Sequence, residues 1–588
     1  MKHTSKIGMM VVAGAMLAAA SCSDYSDYNS VPEDGQLSVN SSLMQNIAEN
    51  EQLSDFAAIL TKAGYADVFS KPNFYTLWVP LNGTYDAQAI LAQDSATIAQ
   101  QFVKHHVANF SHLVSGNVNE RIVTLNDKHH NFTNEAFDNL KIVDANLPAF
   151  NGVMHTIQGQ SAFYPNLYEE LDVLQGCDAF KTYIQSYDEY YLDVDESVIG
   201  PMVNGQQTYL DSVFQKRNTI INEIMHAKLE NEDSSYTMLY PTDRAWEEAY
   251  NSIKEDYNYI TDFNYMDVTK TATAAASLSA TTGKSDKAVD IDATFYSDSL
   301  AKRKIIENLV FTNTYERNKP VWSGQLSTDK PDTLITTAYS LITNVQAIYD
   351  NTVGEIKTNS NGYSRIVDAF PYYPWETYEP VLVSKEPTRI LGNKAGSTYT
   401  THSIAKSSLE SRDTLFEKVP PFIKKWLLSD TQFFSYVSID QENFSASSAR
   451  PELDFSFGNA LSTKYHIFVV TVPAQVEKPE ETALKPFYLR FDLSYTDADG
   501  TQRFQRLNVP GARLTDDIIT EAGKLDVIHL EFTMPICYYG LAAYPTLFVS
   551  HTKTFTSATN RNRYDQELRI AGVYFVPEQA YNYYNISE

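Results

Sequence analysis

The sequence predicts an α+β protein: two related helix-and-strand modules followed by a mostly-β sandwich. Three observations lead there. Leu53, Phe56, Ala57, Leu60 and Ala63 recur at three- and four-residue spacing, one apolar stripe along a helix. A strand-like box, YTLWVPLNGTYD at 75–86, returns in altered form as SYTMLYPTDRAWEEAY at 235–250. Beyond about residue 450, apolar and polar side chains alternate in short runs bounded by turn residues, the period of half-buried strands.

The chain opens with Lys2 and Lys6, an apolar run from Ile7 to Ala20, then Ser21 and Cys22. A basic start, a short apolar segment and small residues before a cleavage point make a secretory signal peptide. The run is shorter than the ~20 apolar residues of a comfortable transmembrane helix. Ala19-Ala20-Ser21-Cys22 resembles the lipobox of bacterial lipoproteins, with Ala19 where Leu is usual. The resemblance implies that residues 1–21 are a lipoprotein signal peptide and that Cys22 becomes the acylated first residue. At ~0.8 kcal/mol per buried methylene, several acyl chains would hold firmly. Residues 23–40 are polar and aperiodic, so 22–40 reads as an acylated Cys and flexible tether. Asp24 and Asp27 resemble acidic tags that send lipoproteins to the outer face of the outer membrane; a merely soluble linker has the same composition.

In the first module, Gly64 stops the striped helix. Residues 74–80 read as a strand ended by Pro80 and the Asn82-Gly83 turn. Asp94 is the N-cap of a second helix, on which Ile98, Phe102 and His106 share one face. Short strands follow, ending in Asn151-Gly152 and Val153–Ile157.

Four segments in order resemble a fasciclin domain over residues 41–170. They are SLMQNIAENEQLSDFAAILTKAGYADVFS for the opening helices, YTLWVPLNGTYD for the first box, FVKHHVAN for the Tyr-His segment and NGVMHTI for the second box. In the Tyr-His segment His105 holds the Tyr place and His106 the His place. The resemblance implies a compact α+β sandwich and a binding role. It makes Asn82, His106, Asn151, Gly152 and His155 motif positions.

A divergent second copy spans 171–384. Its second box is NGYSRIVDAF at 361–370, giving Asn361 and Gly362 as motif positions; RKIIENLVFTN at 303–313 takes the Tyr-His place. Leu309 and Arg365 fall where histidines would stand. An insertion near 264–295 includes the low-complexity stretch 269–287. Residues 385–404 are polar and read as a linker. Residues 405–588 form the sandwich: Leu453, Phe455 and Phe457 alternate with polar neighbours, Tyr465–Val472 is a central strand, and Leu489–Tyr495 turns at Asp499-Gly500 into Thr501–Val509. Further strands fall at Leu525–Phe532, Thr546–Ser550 and Leu568–Val576. The layout resembles a jelly roll.

The net charge of −27 argues against nucleic acid and against a basic membrane-binding patch. Besides Cys22 there are only Cys177 and Cys537, too few for a disulfide framework. Six histidines lie between His105 and His155, but adjacent imidazoles diverge, and no Cys or paired carboxylate joins them at ligand spacing, so no metal is expected there. His106 and His155 read as core histidines, with Asn82 or backbone carbonyls as partners. Asp497-Ala498-Asp499-Gly500 starts like a calcium loop, but Asn508 stands where the twelfth-place Glu is needed, so it reads as a hairpin turn. No Gly-rich phosphate loop or GxSxG elbow appears. No catalytic residues and no cofactor are therefore expected.

Aromatic residues are the remaining candidates for binding. Trp78 and Trp246 read as core. Trp322, Tyr372, Tyr373, Trp375 and Tyr378 offer a possible ligand or partner surface, although the segment 370–378 equally suits the gap between two domains. Lipoproteins of this layout resemble accessory subunits of outer-membrane uptake systems, in which a TonB-dependent channel works with a lid of the SusC and SusD type. That resemblance implies a lipid-anchored, outward-facing and non-catalytic component capturing glycan or peptide. A free-standing adhesin gripping host or neighbouring cells is the alternative.

Overall fold

The computed structural model describes residues 41–260, 263–264, 288–289, 292–315, 318, 333–391, 398–409, 411–430, 432–440, 450–541 and 543–586. Cys22 and the expected signal segment and tether, most of the 264–295 insertion, and Trp322 lie outside them. The described residues divide into two compact units. One holds residues up to Leu174 with Lys228–Tyr236 and Lys357–Ser364; the other holds Gln175–Ala227, Thr237–Ile356 and Arg365–Glu588. Among the described residues no helix is long and apolar enough to cross a membrane.

In the first unit a four-stranded sheet runs Val107–Asn109, Tyr75–Pro80, Gly152–Ile157, Leu147–Ala149. Its two central strands are parallel, with Tyr75 opposite Gly152 and Trp78 opposite His155. Both are buried almost throughout, as their near-continuous apolar runs require. The stripe expected between 53 and 63 becomes a one-turn 3-10 segment, Glu51–Leu53, followed by the helix Ser54–Lys62. Phe56, Ile59 and Leu60 pack with Leu77, Val79, Phe102 and Val103 on one face of the sheet. On the other face Trp78 stacks on Phe137 at 4.4 Å within a cluster that includes Phe132 and Ile157. Asp94 caps the next helix by accepting a hydrogen bond from the Thr97 N–H at 2.9 Å, a contact worth about 1 kcal/mol.

A second sheet of the same form runs Val310–Thr312, Tyr236–Pro241, Gly362–Val367, Thr352–Asn359. In both sheets the first-box strand lies beside the strand that follows the Asn-Gly pair, so the repeat read from the sequence is present as structure.

The C-terminal part of the second unit is a two-sheet sandwich. One sheet runs Thr400–Ala405, Phe433–Ile439, Leu568–Pro577, Lys464–Thr471, Asp526–Thr533, with Leu382–Ser384 also on Leu568–Pro577. The other runs Arg389–Leu391, Glu452–Ser456, Thr546–His551, Tyr488–Thr496, Gln502–Leu507, with Ile518–Ile519 added. Inward residues such as Phe455, Ile467, Phe491, Leu530, Val549 and Phe575 fill the space between the sheets. The outer face of the first sheet is covered by helices Pro421–Leu427 and Glu578–Ile586 through Phe422, Phe468, Tyr574 and Ala580.

Two expectations change. The stretch 385–404 is not simply a linker, because Arg389–Leu391 and Thr400–Ala405 are strands of the two sheets. They lie at sheet edges, where one exposed side tolerates polar residues and hides the alternation that marks a central strand. The ribbon formed by Asp188–Val203 and Gln206–Asn218, turning at Asn204-Gly205 with positive φ at both, has no counterpart in the sequence reading. Apolar and acidic side chains stand on both its faces, so no period-2 signal forms.

Candidate functional site

The first unit holds a polar cavity of about 490 Å³, lined among others by His105, Arg121, Lys128, His130, Asp138 and Glu232. Its floor is a hairpin in which Asn119–Val123 pairs with His129–Thr133, so that Ile122 faces His130. The tight turn between them places Lys128. Asp138 and Asn139 both have positive φ and form a second turn, where the short Asp side chain bonds back to the chain.

Asp138 organises one end. Its Oδ1 accepts from the Asn131 N–H at 3.0 Å and its Oδ2 from the Ser161 hydroxyl at 2.7 Å; Oδ2 also contacts His130 Nδ1. Burial alone would raise this carboxyl, but the His130 and Ser161 bonds outweigh it and hold it below the usual range. His105 lies beside His130 with ring centroids 4.4 Å apart. Burial, reinforced by His130, pushes His105 down to about 2, so it is neutral at any ordinary pH.

Lys128 organises the other end. Only 2% exposed, its ammonium donates to Glu169 Oε2 at 2.7 Å, Glu232 Oε1 at 2.6 Å and Ser360 Oγ at 3.1 Å. All three N–H bonds are therefore used, and the buried charge is matched by two carboxylates.

The hydrogen bonds around His105 and Ser161 do not form a serine–histidine nucleophile pair. Asn126 donates through Nδ2 to Gln100 O at 3.0 Å and to His105 Nδ1 at 3.2 Å, while its Oδ1 accepts from Thr124 Oγ1. With Nδ1 accepting, this hydrogen-bond network assigns the His105 proton to Nε2, which faces Ala162 O and Ser161 Oγ at 3.3 Å each. A general base must offer a lone pair to the hydroxyl; His105 offers N–H, and Ser161 donates to Asp138 instead. Lys128, Asp138 and Glu232 were not singled out from the sequence. The local Asn126-Asp127-Lys128 turn was the available signal, but only the fold brings Glu232 to it.

The motif positions fall inside the first unit and serve structure. His106 takes its Nδ1 to Phe102 O at 2.8 Å and accepts from the Ser161 N–H through Nε2 at 3.0 Å. His155 accepts from the Asn146 N–H at 3.3 Å and contacts His112 O through Nε2 at 2.9 Å. Burial holds both imidazoles down to about 4. Asn82 is not their partner. Its Oδ1 accepts from the Asp55 N–H at 3.1 Å and its amide donates to Glu51 O and Ser54 Oγ, tying down the start of the striped helix. The second copy fills the histidine place of the second box with Arg365, buried over the Tyr349 ring at 4.9 Å, and Leu309 is fully buried.

The aromatic segment splits. Tyr372 and Tyr378 are buried and so do not offer a ligand surface. The Tyr372 hydroxyl donates to Asn308 O at 2.6 Å, and the Tyr378 carbonyl accepts from the Tyr257 hydroxyl at 3.0 Å. Tyr373 and Trp375 stack on each other at 4.6 Å and lie against Tyr583 of the C-terminal helix. These rings join the second repeat to the sandwich. Asp497–Thr501 is the turn of a hairpin, with Arg503 paired to both Asp497 and Asp499. Cys177 and Cys537 are both buried and are not bridged to each other.

The model of the Fasciclin domain matches residues 51–159 of this chain. Among solved structures, the FAS1 domain pair from the insect cell adhesion molecule Fasciclin I is similar at 15% identity, covering 56% of this chain and 99% of that one with a TM-score of 0.19. No curated protein matches the sequence.

Proposed function

We propose that this protein is a surface-held, non-catalytic binding subunit, anchored to an outer membrane through acylated Cys22 and associated with a TonB-dependent channel and SusD-type lid that import glycan or peptide. The Fasciclin domain supports a binding or adhesion-like role. The observation that carries the reading is the two-stranded ribbon of the second unit. It exposes Tyr190, Ile199, Met202 and Phe214 by 60–70% each. Apolar side chains this open, on strands paired only with each other among the described residues, mark a protein-contact surface. Confinement by a lipid and a tether would raise the effective concentration of that surface near membrane partners.

The test is co-purification of the full chain from mild-detergent extracts, beside a variant in which residues 190–216 are replaced by a short turn. The full chain should bring down a channel and a lid identified by mass spectrometry, and the shortened chain should lose them. A full chain that comes away alone would favour the free-standing adhesin.

A further inference from the structure

The sandwich carries a group of side chains that neither the cavity nor the ribbon uses. His466 lies on the strand Lys464–Thr471 directly opposite Glu531 on Asp526–Thr533, and His529 lies two residues before Glu531 on the same face. Cross-strand and i, i+2 neighbours on one face place three side chains together on a rigid sheet. His466 Nδ1 lies 2.9 Å from His529 Nε2 and 3.4 Å from Glu531 Oε1, and His529 Nε2 lies 3.9 Å from the same oxygen. A point equidistant from the corners of that triangle is about 2.0 Å from each, the length of zinc–imidazole and zinc–carboxylate bonds.

The geometry points to a divalent metal site of the zinc class, with His466 Nδ1, His529 Nε2 and Glu531 Oε1 as ligands and a coordination position left open. A hydrogen bond between the imidazoles accounts for only part of the arrangement. One proton shared by the two nitrogens leaves Glu531 Oε1 as a further acceptor at the same place, whereas a cation satisfies all three atoms at once. Two nitrogens and one carboxylate oxygen are the donor set of open zinc sites, and the borderline divalent ions Zn²⁺, Ni²⁺ and Cu²⁺ suit it better than Ca²⁺ or Mg²⁺.

The surroundings hold the ligands in place. Tyr581 of the C-terminal helix stacks on the His466 ring at 3.8 Å and Phe468 on the His529 ring at 4.7 Å. Lys464 Nζ lies 3.6 Å from the other Glu531 oxygen, Oε2, and is itself held by Glu578 at 2.7 Å, which directs Oε1 toward the imidazoles. The side chains of His529 and Glu531 are 27% and 34% exposed, so the open position has a route to solvent.

The test is titration of the full chain, stripped with chelator, with ZnCl₂ by calorimetry, with bound metal counted by mass spectrometry. One equivalent of zinc is expected. His529→Ala and Glu531→Gln should each weaken it at least tenfold with an unchanged melting temperature in chelator. Both side chains are partly exposed, so these variants retain the fold; His466, buried beneath Tyr581, is the poorer choice. Crystals soaked in zinc should show an anomalous peak between the three atoms. No stoichiometric zinc, or zinc retained by His529→Ala and lost by His130→Ala, would overturn the site.

Discussion

Asn151 and Asn361 make the same set of hydrogen bonds in the two copies of one motif. Asn151 accepts from the Leu43 N–H at 2.8 Å and donates to Phe69 O and Lys71 O; Asn361 accepts from the Leu167 N–H at 2.9 Å and donates to Leu229 O and Asn231 O. Each buried amide pins the start of its module to the segment leading into the first-box strand. Asn151→Ala and Asn361→Ala should each cost about 2–4 kcal/mol, because a buried N–H and carbonyl groups lose their partners. Urea unfolding midpoints check this; a silent Asn361→Ala would mean that the second copy does not depend on its clamp.

The neighbouring glycines are demanded by sterics. Gly152 and Gly362 have φ of +153° and +149°, and a Cβ on either would stand 2.1 Å from Tyr75 O or 1.8 Å from Tyr236 O. Backbone, not a flexible side chain, blocks the way. Gly152→Ala and Gly362→Ala should therefore lower soluble yield and melting temperature more than Gly64→Ala, which has open space around it.

His106→Phe should damage folding before binding. It keeps the ring packing against Phe102, 4.7 Å away, but strands the Ser161 N–H, at a cost of about 1–3 kcal/mol. Unchanged melting together with lost ligand or partner binding would contradict a structural role.

Acid should weaken the first unit. His106 and His155 titrate near 4 when folded and near ~6.5 when unfolded, so between those values the unfolded chain binds more protons. Stability is then full above about pH 6.5 and falls as pH drops toward 4, by about 1–3 kcal/mol for each imidazole. Melting curves from pH 7 to 4.5 measure the slope, and His106→Phe should flatten it.

Glu379 in the second unit works in the opposite direction. Burial, then the nearby Asp256 charge, pushes it up to about 8, and burial pushes Asp256 up to about 7. Carboxyls raised on folding stabilise most at low pH, and that stability is lost as pH rises from about 4.5 through 8. Glu379→Gln should raise the melting temperature at pH 8 and leave it nearly unchanged at pH 5. A variant that melts lower at both would show that the carboxyl makes a contact the amide cannot.

Apart from the two-residue Ile518–Ile519, the strands from Glu452 to Pro577 were legible because their core faces alternate or run continuously apolar, and such patterns depend only on local side-chain order. The ribbon at 188–218 and the strand Thr400–Ala405 were not: the ribbon's strands pair only with each other among the described residues, and the edge strand packs inward only through His402 and Ile404, too few positions to make a pattern. The motif histidines were readable as core positions, and of the two expected kinds of partner, Asn82 or backbone carbonyls, the fold supplies backbone: the Phe102 and His112 carbonyls, with the Asn146 and Ser161 N–H groups on the other ring nitrogens.

By itself the sequence determined the class of fold, the repeat marked by Asn151-Gly152 and Asn361-Gly362, and the sandwich that follows. Only the tertiary structure decided which polar groups meet: Lys128 with Glu232, Ser161 with Asp138 rather than with a base, and His466 with His529 and Glu531. Periodicity is written along the chain, where neighbours are fixed by covalent spacing. A charged or metal-ready cluster is assembled from distant segments, and its members come together only when sheet register and turn geometry bring those segments within bonding distance.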